Sequence, residues 1–309
     1  MLGDKFRFRF VKSGTLRLVS HHDLMRCSER MLRRAAVPFK STAGFHPTPR
    51  WVFALSLSLG VVGCDEVVEL ELTEPRDSDE LLACLNAQAP TGLKFTSVKP
   101  VPMKATATPR RVVYEMPLPV DRVTEVEAAA TALMAEPKVW VERLKPSPKR
   151  LNIRPYFRCV SVERQPTPLA PLPEGKGEFS TGAPLAIDAP SNSSSPFPSG
   201  RGASGVGLPI LRLDLWVTQT GSARADELLK LLYIEDLIDT GAVLERTVVE
   251  IRDEYTGTDP GDAPPDGHAD SIPLSGAEVA ALSARLDEES NQQPIETGWG
   301  ASPNGPVVE

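Results

Sequence analysis

An α+β fold of two ferredoxin-like sandwich units is predicted, on three observations. Over residues 1–104, stretches of period-two hydrophobicity alternate with helical stretches in the order β-α-β-β-α-β. A similar alternation, with little sequence identity, recurs over residues 105–164 and 208–252. Between its two parts lies a run rich in Pro, Gly and Ser, residues 165–207, which buries too little apolar surface to offset its ordering entropy and is expected to be a disordered insertion. Residues 253–309, rich in Pro, Asp and Glu, are expected to be an acidic disordered tail with one short helix over 276–288.

The elements follow in order. Phe6, Phe8 and Phe10 alternate with Arg7 and Arg9, the pattern of a half-buried strand, and Lys12-Ser13-Gly14 is a turn. Leu24, Cys27, Met31, Leu32 and Ala35 fall at helical spacing, so residues 21–36 are a helix, with Ser20 as N-cap and Asp23 completing a capping box. Residues 51–55 and 67–72 read as strands, 78–85 as a helix and 93–98 as a strand. In the second unit, 112–118, 139–144 and 156–162 are strands and 125–134 a helix; after the insertion come a strand at 211–217, a helix at 225–232 and a strand at 243–251. That is one strand more than a plain repeat requires.

The net charge of −7 conceals an asymmetry. Residues 1–164 hold 26 Lys and Arg against 18 Asp and Glu, whereas 165–309 hold 8 against 23. The first fifty residues carry 11 basic side chains against three acidic ones, which favours a polyanionic partner. Cys27, Cys64, Cys84 and Cys159 are scattered without CxxC or CxxxCxxC spacing, which argues against a disulfide framework, a thiolate zinc site or an iron–sulfur cluster and fits the cytoplasm. No apolar run reaches membrane-spanning length, and the N-terminal alternation is a strand pattern rather than a signal peptide.

The chemistry-bearing residues concentrate early. His21 and His22 open the first helix, whose N-terminus favours phosphate and disfavours imidazolium. Arg26, Arg30, Arg33 and Arg34 form a stripe along that helix, and Gly44-Phe45-His46-Pro47-Thr48-Pro49-Arg50 is a stiff exposed turn. With Arg7, Arg9, Lys12, Lys40, His46 and Arg50, these supply the basic and aromatic groups that single-stranded nucleic acid needs. Arg154 and Arg224 add two outlying basic positions. The same residues also have plainer roles: the Phe residues as core, the arginines as a solvated face, the histidines as backbone partners. A metal site of His21, His22, Asp23 and His46 is disfavoured, because adjacent helical residues point about 100° apart. No metal or cofactor is expected.

Leu18-Val19-Ser20-His21-His22-Asp23-Leu24-Met25-Arg26, then Arg33-Arg34-Ala35 and the Gly44–Arg50 turn, resemble the radical-SAM-linked family of unknown function, DUF2344. Asn152-Ile153-Arg154-Pro155 and Ser222-Ala223-Arg224-Ala225-Asp226 resemble its later motifs. The sequence departs from the family pattern at His22, His46, Thr48 and Ala225. The resemblance implies a helper in tRNA or rRNA modification or processing, with a radical-SAM protein and ribonuclease E/G as partners. Three functions stand open at this point: an RNA-binding accessory protein, a His-dependent RNA-processing or RNA-modifying enzyme with His21 as acid/base and Asp23 or Lys40 assisting, and a protein-interaction module without RNA.

Overall fold

The computed structural model describes residues 2–45, 47–164, 208–257 and 269–291. Phe6, Phe8 and Phe10 place their rings in the core from strand β1 (Leu2–Lys12). Helix α1 (His21–Arg34) starts where the Ser20 hydroxyl accepts the Asp23 N–H at 3.2 Å, and it buries Leu24, Met31 and Leu32. It ends in a left-handed residue, Ala36 at φ 51°, from which the Val37 N–H turns back to the Leu32 carbonyl at 3.1 Å. Then follow β2 (Trp51–Phe53), the long β3 (Val62–Asp77), α2 (Ser78–Gln88) and β4 (Leu93–Pro100). The Asp77 carboxylate caps α2 by accepting from the Asp79 and Glu80 N–H groups. Asn86 near its end bonds both the N–H and the carbonyl of Phe95, each at 2.9 Å, and so pins α2 to β4. The three Phe rings of β1 meet Trp51, Val68, Leu70, Leu72, Leu81, Leu85 and Phe95 in one apolar cluster.

The second series is β5 (Pro109–Pro117), α3 (Val123–Ala135), β6 (Trp140–Arg143), β7 (Lys149–Asn152), β8 (Phe157–Arg164), β9 (Pro209–Thr218), β10 (Gly221–Ser222), α4 (Ala225–Leu231), α5 (Asp236–Asp239) and β11 (Glu245–Ile251). β12 (Ser271–Pro273) and α6 (Gly276–Asn291) follow. In the first series the strands order β4-β1-β3-β2, and in the second β11-β5-β9-β8, all antiparallel. The two sets of strands do not form separate sheets. β11 pairs in parallel with β3 at Glu245↔Val62 and Arg246↔Gly63, giving one mixed nine-stranded sheet in an α/β structure. β3 can do this because its 16 residues outrun β2, leaving the start of the same edge open for β11.

The chain divides into two compact units, Met1–Val139 with Ile153–Ala269, and Trp140–Asn152 with Asp270–Glu309. The second holds the supernumerary strand of the sequence reading: residues 140–143 pair with β7, and β7 with β12, in their own three-stranded sheet. Within that unit Glu142 accepts from Arg150 at 2.8 Å and from Arg285 at 3.1 Å. The expected insertion, 165–207, lies outside the described residues, and so does about half of the expected tail; the part of the tail described includes β12 and α6. Among the described residues no helix is long and apolar enough to cross a membrane.

Candidate functional site

Arg7 and Arg9 project from the face of β1 opposite the Phe rings, yet neither offers a free cation. Arg7 is 2% exposed. It grips Glu69 at 2.8 Å, Asp253 at 2.7 Å and Glu254 at 2.8 Å. Burial opposes its charge, but these carboxylates hold the guanidinium above its ordinary pKa. Arg9 pairs with Asp65 and, at 2.5 Å, with Glu254, which also takes Lys99 at 2.6 Å. Burial of the Glu254 carboxyl is overcome by Lys99, Arg7 and Arg9, and its pKa falls to about 2. The pattern continues in the second strand set, where Asp214 holds Arg111 at 2.7 Å and Arg158 at 2.8 Å. Arg7 and Arg9, expected to contact RNA, thus lie paired with residues 253–254, which are remote in sequence.

Lys12, also expected to contact RNA, lies inside. It continues the inward parity of Phe10, is 1% exposed, and donates to the Val19 carbonyl at 2.8 Å. Around it, where β3 meets β11, lies a buried charge cluster. Glu66, 2% exposed and paired in register with Phe10, accepts Nε of Arg246 at 2.7 Å and Nη2 at 2.5 Å. Arg246, 1% exposed, also donates to the Ser56 carbonyl at 3.1 Å and the Tyr114 hydroxyl at 3.3 Å. Burial disfavours the charge on Lys12 and lowers its pKa, with Glu66 opposing and Arg246 reinforcing the shift. His21 is the titratable group at the rim: its ring lies 5.0 Å from that of Phe53, and burial, His22 and Lys12 depress its pKa. Cys64 is no ready nucleophile, since burial and then Glu245 push its thiol up to about 11.

Asp23 is engaged elsewhere. Its carboxylate accepts the Ser20 hydroxyl at 2.7 Å and Arg26 at 3.4 Å, and among the described residues no hydrogen bond joins it to His21. His46 lies outside the described residues. No three His, Cys, Asp or Glu side chains among those described converge to hold a metal.

The arginine stripe of α1 is exposed. Arg26 meets Asp23, Arg33 meets Glu29 at 2.8 Å, Arg34 reaches Gln88, and Arg30 donates to the Arg26 carbonyl. Solvated i,i+3 and i,i+4 pairs of this sort are worth under ~1 kcal/mol and yield readily to a phosphate. The guanidinium of Arg33 lies 5.5 Å from the Phe39 ring, which brings the last turn of α1 to the base of the 41–49 loop beside Lys40 and Arg50. Arg50 pairs with Glu71 at 3.1 Å. The site residues thus separate into His21 above the charge cluster and Arg33, Lys40 and Arg50, roughly 18 Å away along α1. Arg154 and Arg224 join neither group. Arg154 donates to the Met134 and Glu136 carbonyls and closes the C-terminus of α3, while Arg224 precedes α4, its N–H on Glu227 at 2.9 Å.

A mixed sheet in which Arg7, Arg9, Arg111 and Arg158 are paired with carboxylates of the chain, flanked by an exposed basic helix, defines a scaffold with a cationic helical surface. The chain belongs to the family described as an uncharacterized protein conserved in bacteria, DUF2344, whose model matches residues 5–178. No curated protein matches it. Among solved structures, an unknown protein from Galdieria sulphuraria aligns with 81% of this chain and 99% of its own at 11% identity, with a TM-score of 0.21, too slight a likeness to bear on fold or function.

Proposed function

We propose that this protein is an RNA-binding accessory factor that presents tRNA or rRNA to a radical-SAM partner. We read its two antiparallel strand series, each of order 4-1-3-2 in its own numbering, as ferredoxin-like units that carry the binding helix. One observation supports the reading above others: Arg26, Arg30 and Arg33 stand solvent-exposed on one helix, while Arg7, Arg9 and Arg111 of the sheet are held by carboxylates of the chain itself. Phosphate contacts from such a helix are electrostatic and salt-dependent. The test is crosslinking and sequencing of RNA bound to the wild type and to the Arg26→Glu/Arg30→Glu/Arg33→Glu variant. One RNA class should be enriched and then lost in the variant, with the slope of log K against log salt reduced by about 2 for three lost contacts on a single strand. Equal RNA recovery from both proteins refutes the surface, and no RNA above background from the wild type favours a protein-interaction module.

A second reading has its own support. His21, kept neutral at the rim of a buried Lys12–Glu66–Arg246 cluster, is placed as a general acid/base would be. An RNA-processing or RNA-modifying activity would then vanish in His21→Ala with RNA affinity retained; full turnover in that variant ends this reading.

A further inference from the structure

The side chain of Phe45 is 102% exposed, at the tip of the loop that rises from the end of α1. Leaving such a ring in water forgoes the stabilisation that burying it would bring. The loop that carries it is closed rather than slack. Ser41 and Pro49 form an antiparallel bridge, the Thr42 N–H donates to the Thr48 carbonyl at 2.8 Å, and the Thr48 N–H donates to the Thr42 hydroxyl at 3.1 Å. Below it, the Arg50 N–H donates to the Lys40 carbonyl and the Lys40 N–H to that of Glu71, each at 2.8 Å, fastening the loop to β3. Pro47 and Pro49 fix two backbone angles, and Gly44 supplies a φ of +139° that other residues avoid. The two ends of the loop are therefore pinned before any partner arrives, which lowers the ordering cost of binding.

Its surroundings say what that partner is. Thr42, Ala43, Gly44, Pro47 and Thr48 are small side chains, while Arg33, Lys40 and Arg50 stand at the base of the loop. An isolated aromatic face beside guanidinium and ammonium groups is how single strands are held: the base stacks, the cations take the phosphates. A duplex hides its base faces and gains nothing from the ring. Resting on the RNA-binding reading above, we infer that Phe45 stacks on an unpaired base, so that the RNA bound is single-stranded or looped where it crosses the 41–49 loop.

The full chain and its variants are titrated with a labelled unstructured oligouridylate and with a duplex RNA at one salt concentration. Phe45→Ala should weaken single-strand binding by about five- to a hundredfold, the range of one lost stack, and leave duplex binding unchanged. Phe45→Leu should be as poor as Ala, because it lacks a π face. Phe45→Trp should bind as the wild type does, its emission quenched by the single strand alone. Wild-type affinity in Phe45→Leu, or equal losses for both RNAs in Phe45→Ala, overturns the stacking assignment. If Phe45→Ala binds normally while the α1 triple Glu variant does not, the stacking inference fails and the RNA reading stands. If the wild type binds neither RNA, both fall.

Discussion

Replacing Glu66 by Ala should be among the most damaging single changes in this chain. The carboxylate is 2% exposed and holds both Nε and Nη2 of an Arg246 that is itself 1% exposed. The substitution leaves that guanidinium without a counterion and removes the one acidic group that favours charge on Lys12. Breaking one side of a buried ion pair costs about 3–5 kcal/mol. Against a total stability of about 5–15 kcal/mol, that is a large fraction. Urea denaturation followed by far-UV circular dichroism measures it: the midpoint should fall steeply with the slope unchanged, since the surface exposed on unfolding is nearly the same. The double variant Glu66→Leu/Arg246→Met should recover most of the loss, because neither charge then has to be desolvated. A single-variant loss below about 1 kcal/mol would refute the reasoning, for it would mean that water reaches the guanidinium.

Four other outcomes are expected. Glu254, with its folded pKa depressed to about 2, binds its proton more readily unfolded; its contribution of about 3 kcal/mol is present at neutral pH and is lost as pH falls from about 5 toward 2. Glu254→Gln should therefore be less stable than the wild type at pH 7 and equal to it near pH 2 in denaturant titrations. The ring of His21 should titrate below 6.5 in NMR spectra, and the midpoint should rise in Lys12→Met, which removes a neighbouring positive charge. The same depressed pKa means that stability drops as pH falls below 6.5, a dependence that His21→Gln should reduce. Ala36→Gly should raise stability by about 1 kcal/mol in thermal melts, because Ala36 is left-handed at φ 51°. Asn86→Ala, which strips both bonds from the Phe95 backbone, should lower stability by about 1–3 kcal/mol.

Much of the architecture was legible because local pattern and burial agree in it. Phe6, Phe8 and Phe10 alternate and all three lie inside; Ser20 is the cap its position announced; Leu24, Met31 and Leu32 form the buried stripe. Long-range pairing was not legible. Nothing near Arg7 in sequence shows that Asp253 and Glu254 cover it, nor does residues 139–144 reading as a strand reveal that 140–143 belong to another sheet. The charge cluster does leave a signal in the sequence. Lys12 continues the parity of Phe6, Phe8 and Phe10, and Glu66 that of Val68, Leu70 and Leu72, so each is an ionisable group on a core face. For Arg246 the signal was scrambled: a register shift separates it from Val248, and parity counted back from Val249 and Ile251 puts it on the wrong side.

The parallel junction of β11 with β3 also sets an order of events in synthesis. Glu66 and Arg246 are 180 residues apart in the chain. At about 5–20 residues per second, Glu66 leaves the ribosome roughly 10–35 s before the arginine that neutralises it is made. Throughout that interval the nascent N-terminal half carries an uncompensated carboxylate on a core face and an unpaired stretch of β3, so its last step of consolidation waits for nearly the final strand to be translated. A stalled or truncated chain ending before residue 245 is thus expected to expose a sticky strand edge to other nascent chains, and to be the form on which chaperones and proteases act.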